Sequence, residues 1–165
     1  MSKMRLENFA FIPPDMVLPV GDYIVVDPCY IFADDPFWSA FVDYSFPVDE
    51  PARDEVMVEV DGKPFYIFST AYGDGCFPVY EDGVPKGDAS VDAGVLSIVP
   101  VEILTDEVLA DVRRVSVRVS LENGCMPQRD EGDVTCGNIR IVTSGDDDEE
   151  GYIFGSRKED YEEEF

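Results

Sequence analysis

This sequence predicts a β-dominated α+β fold, an antiparallel sheet or partly closed barrel carrying two short helices. Three observations predict it. Apolar and polar residues alternate over short stretches, glycine, proline and aspartate turn signals separate those stretches, and only two short segments carry helix signals. A two-sheet sandwich is the second architecture. The chain has 165 residues, 45% of them apolar and 12% aromatic. Such a length fits one domain, whose core can bury roughly 70% of the surface exposed by the unfolded chain. The reading is one acidic domain over 1–145 and an acidic C-terminal segment, 146–165, partly ordered or packed on the domain.

Taken in order, residues 1–14 end in Pro13 and Pro14, which favour an extended start. Residues 16–26 read as a strand interrupted by Pro19, Gly21 and Asp22 and closed by Asp27-Pro28. Asp34, Asp35 and Pro36 form a helix start, a carboxylate cap before proline at the first position. Trp38, Phe41, Val42 and Phe46 then follow at helical spacing, and Trp38 with Phe37 and Phe41 reads as core rather than a stacking platform. Residues 56–60 and 65–68 flank Asp61-Gly62, a strong two-residue hairpin turn, and Pro64 points to an edge strand. Residues 76–80 and 91–99 read as two more strands, with a loop holding Gly83, Pro85 and Gly87 between them. Thr105 can cap a helix over 105–112, where Asp106 and Glu107 sit favourably near its positive end. Val115, Val117, Val119 and Leu121 alternate with polar residues, the clearest period of two in the chain, and Asn123-Gly124 turns it. Residues 139–142 and 152–154 are the last candidate strands.

Charge is the strongest compositional signal. Thirty-six acidic residues against twelve basic ones give a net of −24, with no histidine. Residues 146–165 hold ten carboxylates and two bases, a net of −8, leaving −16 on the first 145. Acidity therefore belongs to the folded body as well as to its end. Such a surface repels phosphates, and Arg113, Arg114 and Arg118 are too few to make a nucleic-acid surface. Cys29, Cys76, Cys125 and Cys136 contain no C-x-x-C pair, and no basic start precedes an apolar run, which favours a reduced, cytoplasmic protein. No apolar stretch approaches the roughly 18 residues of a membrane span.

Three segments stand out: Asp27-Pro28-Cys29-Tyr30, then Gly73-Asp74-Gly75-Cys76-Phe77-Pro78-Val79-Tyr80, then Val91-Asp92-Ala93-Gly94. Together they resemble a family of uncharacterised, often phage-encoded proteins with D-P-C-Y, G-D-G-x-[YF]-P-V-Y and V-D-[AS]-G motifs. The resemblance covers roughly the first 100 residues. It implies a phage context, hence a bacterial host cytoplasm, and no particular activity.

Asp27, Asp74 and Asp92 each lie at a strand end or beside a glycine. Two readings follow: an oxygen-rich site for a divalent cation or small ligand, with Cys29, Tyr30 and Tyr72 nearby, or aspartates that cap turns by accepting backbone N–H bonds. No D-x-D-x-D-G loop supports the first. Without histidine, the usual Cys-His nucleophile is excluded, so Cys29 and Cys76 read as buried, inert thiols. Gly73-Asp74-Gly75 lacks the following Lys-Ser/Thr of a phosphate loop. No catalytic residue is assigned and no cofactor is required.

A compact chain of this length is about 40 Å across, and 40 Å of duplex DNA carries about 24 charges. Averaged over an expected surface of about 8,000 Å², however, one net charge falls per about 340 Å², so DNA mimicry requires the carboxylates to gather on one face. The leading expectation is a non-enzymatic acidic binding protein, an inhibitor occupying a basic, nucleic-acid-binding surface of a host protein such as a defence component. Its contact residues would be Asp146, Asp147, Asp148, Glu149, Glu150, Glu162, Glu163 and Glu164. The alternatives are the metal or small-ligand site above and a structural or virion-associated module.

Overall fold

The computed structural model describes residue 6 and residues 8–145. Their elements run β1 (Phe9–Ile12), β2 (Gly21–Val26), α1 (Cys29–Phe32), α2 (Pro36–Ser45), β3 (Glu55–Val60), β4 (Lys63–Ser69), β5 (Gly75–Glu81), β6 (Val84–Val91), β7 (Val95–Pro100), α3 (Asp106–Asp111), β8 (Val117–Leu121), β9 (Gln128–Asp130), β10 (Asp133–Cys136) and β11 (Ile139–Ile141), with a 3-10 turn at Val101–Ile103. The strands form two antiparallel sheets, ordered β1-β3-β4-β7-β2-β8 and β6-β5-β11-β10-β9. Neither closes into a barrel.

The interior strands β2, β4 and β7 of the six-stranded sheet are buried on both faces over most of their length, which explains runs such as Tyr23-Ile24-Val25-Val26 that do not alternate. Tyr23, Val25, Met57, Tyr66, Phe68, Leu96 and Ile98 point toward the five-stranded sheet and meet Val79, Ala89, Val91, Val134, Ile139 and Ile141 there. Ile24, Val26, Val56, Val58, Phe65, Ile67 and Val99 point the other way, against Ile31, Phe32, Phe37, Phe41, Val108 and Val112 of the helices. Three layers result: helices, a central sheet and an outer sheet. Each fully buried aliphatic or aromatic side chain contributes roughly 1.5–3 kcal/mol of hydrophobic stabilisation, before the entropy of ordering it is counted.

Local chemistry sets several boundaries as the sequence predicts. Asp35 caps α2, its Oδ1 accepting from the Phe37 N–H at 2.7 Å while Oδ2 accepts from the Leu6 N–H at 3.0 Å. Thr105 caps α3 through the Val108 N–H. Asp61 and Gly62 both take positive φ, 51° and 82°, the geometry a two-residue hairpin needs. Val117, Val119 and Leu121 are buried and Arg118 and Ser120 exposed, so β8 is half-buried because no helix covers its outer side.

Other expectations are corrected. The strand expected over 16–26 begins at Gly21, because Pro19 cannot donate to a ladder; within 16–20 only Leu18 pairs, in an isolated bridge with Cys125. The segment 91–99 is two strands, split by a turn at Asp92-Ala93-Gly94 in which Gly94 takes φ 75°. Pro85 and Gly87 lie in β6 rather than in a loop, and the turn before it is only Asp82-Gly83. β4 is an interior strand; Pro64 is tolerated because pairing to β7 begins at Tyr66. A third helix, α1, follows Asp27-Pro28. On α2, Phe37 and Phe41 reach the core while Val42 and Phe46 are exposed. The candidate strand at 152–154 lies outside the described residues.

Candidate functional site

β2 ends at Val26, and Asp27 opens the turn into α1. Its carboxylate is fully buried. Oδ1 accepts from the Cys29 N–H at 2.9 Å, the local turn that aspartate favours, and Pro28, with φ −63°, is preset to start the helix. Oδ2 accepts from the N–H groups of Asp92 and Ala93, each at 2.7 Å. Two charge-assisted bonds thus tie the start of α1 to the β6–β7 turn, and the third closes the turn that opens the helix.

That turn is joined in its own right to the β4–β5 loop. The Gly94 carbonyl accepts from the Thr70 N–H at 3.1 Å, and the Thr70 hydroxyl donates to the Gly73 carbonyl at 2.7 Å. The three sequence motifs therefore meet at one end of the central sheet. Tyr30 adds a further tie between α1 and the β6–β7 turn, its hydroxyl donating to Asp92 Oδ2 at 2.5 Å. Of the six ligand or motif-site residues, Asp27 is buried, Cys29 and Tyr30 are half-buried, and Tyr72, Asp74 and Asp92 are exposed, Tyr72 by 71%.

The outer sheet holds the same loop from its other side. Thr143 Oγ1 accepts from the Ala71 N–H at 2.9 Å and donates to the Gly132 carbonyl at 2.5 Å. Asp133 accepts from the N–H groups of Thr143 and Ser144, and Arg129 donates twice to the Ser69 carbonyl. Thr70 and Gly94 lie within or beside the motifs. Thr143, Asp133 and Arg129 carry no sequence signal, because their roles depend on register in the second sheet.

Electrostatics at this end disfavour nucleophilic chemistry. Burial, together with the charges of Asp27, Asp92 and Asp74, pushes the Cys29 thiol up to about 12, the opposite of activation. The hydrogen bond to Asp92, followed by burial, raises the Tyr30 phenol. Cys76 is exposed rather than buried as expected, with its sulfur 3.6 Å from Ser90 Oγ. Asp27 acts as a turn-capping carboxylate, with both oxygens engaged by backbone donors. Among the described residues, no group of three or more His, Cys, Asp or Glu side chains is placed to hold a metal ion.

The described residues carry 25 carboxylates and eight bases, a net of −17. All three layers bear them: Asp43, Asp106, Glu107 and Asp111 on the helices, Glu59 on the central sheet, Asp82, Asp88, Asp130 and Glu131 on the outer sheet and its turns. Arg118 is paired with Asp22 at 3.1 Å and Arg129 lies 3.9 Å from Asp54. The expected contact residues Asp146, Asp147, Asp148, Glu149, Glu150, Glu162, Glu163 and Glu164 lie outside the described residues. Gly145, from which the acidic run continues in sequence, approaches the Tyr72 ring. No helix among the described residues is long and apolar enough to cross a membrane. No protein-family model, curated protein or solved structure matches the chain.

Proposed function

We propose that the chain is an acidic binding protein that presents its motif end to a cationic protein surface. One observation carries this reading: three sequence-distant motifs are hydrogen-bonded together at one end that displays Tyr72, Asp74 and Asp92. A rigid aromatic side chain beside carboxylates supplies contact area at low entropic cost together with charge complementarity. The run Asp146 to Glu150 follows Gly145 in sequence and adds five carboxylates to the net charge of the chain. The carboxylates on the other layers raise the overall field, which speeds encounter with a basic partner rather than imitating DNA on one face.

The resemblance to phage-encoded proteins makes a nucleic-acid-binding component of host defence or transcription the natural partner, engaged in the bacterial cytoplasm. Pull-down from bacterial lysate, at low and at moderate salt, tests the reading. Enrichment of a basic protein, steeply weakened by salt and lost with Tyr72→Ala plus Asp74→Asn, supports it. Retention of no basic or nucleic-acid-binding protein at either salt sinks it.

A second reading, a structural or virion-associated module, draws on an exposed apolar strip at the opposite end. Met16, Val17, Val20 and Met126 are exposed there, on two segments joined by the Leu18–Cys125 bridge. Light scattering that shows oligomers dissociated by Val17→Asp would favour it.

A further inference from the structure

Cys125 and Cys136 lie at the end of the molecule remote from the three motifs, on segments that the fold presses together. Cys125 belongs to the β8–β9 connection and is held there by two backbone bonds to Leu18, at 2.9 and 3.0 Å. Cys136 is the last residue of β10. Its Sγ lies 3.5 Å from the carbonyl oxygen of Cys125. The following residue, Gly137, is equally close, since a Cβ at that position would stand 3.5 Å from the Cys125 Cβ. Both thiols are free, and both side chains join the core between the two sheets.

We propose that Cys125 and Cys136 form a redox-active dithiol that closes into an intramolecular disulfide when a peroxide oxidises Cys125. The geometry assigns the two roles by access. Cys125 is half-buried and open to a small oxidant, whereas Cys136 is 1% exposed. The Cys125 thiolate attacks one peroxide oxygen, the O–O bond breaks, and a sulfenic acid forms as hydroxide leaves. The Cys136 sulfur then attacks the Cys125 sulfur, the S–O bond breaks, and the thiol proton and the hydroxyl leave as water. Two sulfurs are oxidised by one electron each, and the peroxide is reduced to water and hydroxide.

Burial and the neighbouring Cys125 thiol push the Cys136 thiol up to about 12, so the second step quickens as pH rises. Closure would cost two weak S–H···O bonds, from Cys136 to the Cys125 carbonyl and from Cys125 to the Met126 carbonyl, while the Cys125 carbonyl keeps its N–H donor from Leu18. The crosslink would staple the 16–20 segment and the β8–β9 connection to β10, constraining the unfolded chain.

Treatment of the full chain with hydrogen peroxide, followed by alkylation, intact mass and peptide mapping, tests the proposal. The expected result is loss of two hydrogens, a linked peptide pair containing Cys125 and Cys136, alkylated Cys29 and Cys76, and a melting temperature raised by several degrees. Dithiothreitol should reverse it. In Cys136→Ala, dimedone should trap a sulfenic acid on Cys125. Four alkylatable thiols after peroxide, a Cys29–Cys76 link, or oxygen addition without crosslinking would overturn the proposal. If Cys136→Ala fails to fold, the peptide map of the unaltered chain decides alone.

Discussion

The Asp92 N–H donates to Asp27 Oδ2 at 2.7 Å although 65 residues separate them in sequence, and this bond locks the β6–β7 turn onto the start of α1. The same oxygen holds Ala93, and its partner oxygen holds Cys29. Asp27→Ala therefore leaves three backbone donors without their acceptor in a part-buried site. We predict a loss of roughly 2–4 kcal/mol, read as a lower urea midpoint, because each orphaned buried donor costs about 1–3 kcal/mol and partial relaxation recovers some of it. Asp27→Asn should fall between, since one oxygen cannot face donors on both sides. A wild-type midpoint for Asp27→Ala would show that these bonds contribute nothing.

Gly132 and Thr143 make a tighter constraint. Gly132 takes φ 99°, and a Cβ there would stand 2.4 Å from the Ala71 nitrogen and 2.7 Å from Thr143 Oγ1. Gly132→Ala combines backbone strain with a clash against main chain, so a loss of about 3 kcal/mol or more is predicted. A variant that unfolds within about 0.5 kcal/mol of wild type would contradict the packing of the β9–β10 turn against the β4–β5 loop.

Alkaline pH should destabilise the fold. Burial pushes Cys29, Cys136 and Tyr23 up to about 12, from ordinary values of 9 for the thiols and 10 for the phenol. Between pH 9 and 12 the unfolded chain gives up these protons while the folded chain keeps them. The native state then binds more protons, so stability is fully present below pH 9 and declines as pH rises through this window. The limiting slope is about 1.4 kcal/mol per pH unit for each group, less for the partly exposed ones. Urea midpoints measured from pH 7 to 11 check the sign; a midpoint that rises above pH 9 contradicts it.

Much of the fold was legible because local chemistry decided it. Asp35-Pro36 started a helix, Asp61-Gly62 turned a hairpin, and Val117 to Leu121 alternated as a strand with one wet face must. Where tertiary context decided, the sequence misled. Pro64 looked like an edge residue yet opens an interior strand, and residues 91–99 looked continuous although Gly94 breaks them. β9 and β10 are three and four residues long, and only pairing across the second sheet defines them. The convergence of the three motifs was foreseeable in kind, since turn aspartates gather at strand ends. That Asp27 would be the buried hub and Asp74 and Asp92 the exposed members was not, because burial depends on which loops cross above the sheet.

Tyr72 and Asp74 separate stability from recognition. Both side chains are exposed, and neither supplies one of the hydrogen bonds that join the motifs; the loop is held through Thr70, Ala71 and the Gly73 carbonyl. Tyr72→Ala and Asp74→Asn should therefore each unfold within about 0.5 kcal/mol of wild type, as surface substitutions away from such features do. If the motif end binds a cationic partner, the same changes should weaken capture, Tyr72→Ala by faster dissociation and Asp74→Asn by slower association with a shallower salt dependence. Stability measured by urea and binding kinetics measured on an immobilised partner at two salt concentrations would resolve these effects. Unchanged kinetics in both variants, with stability intact, would remove the motif end from the interface while leaving the acidic body as the only surface able to hold a basic protein.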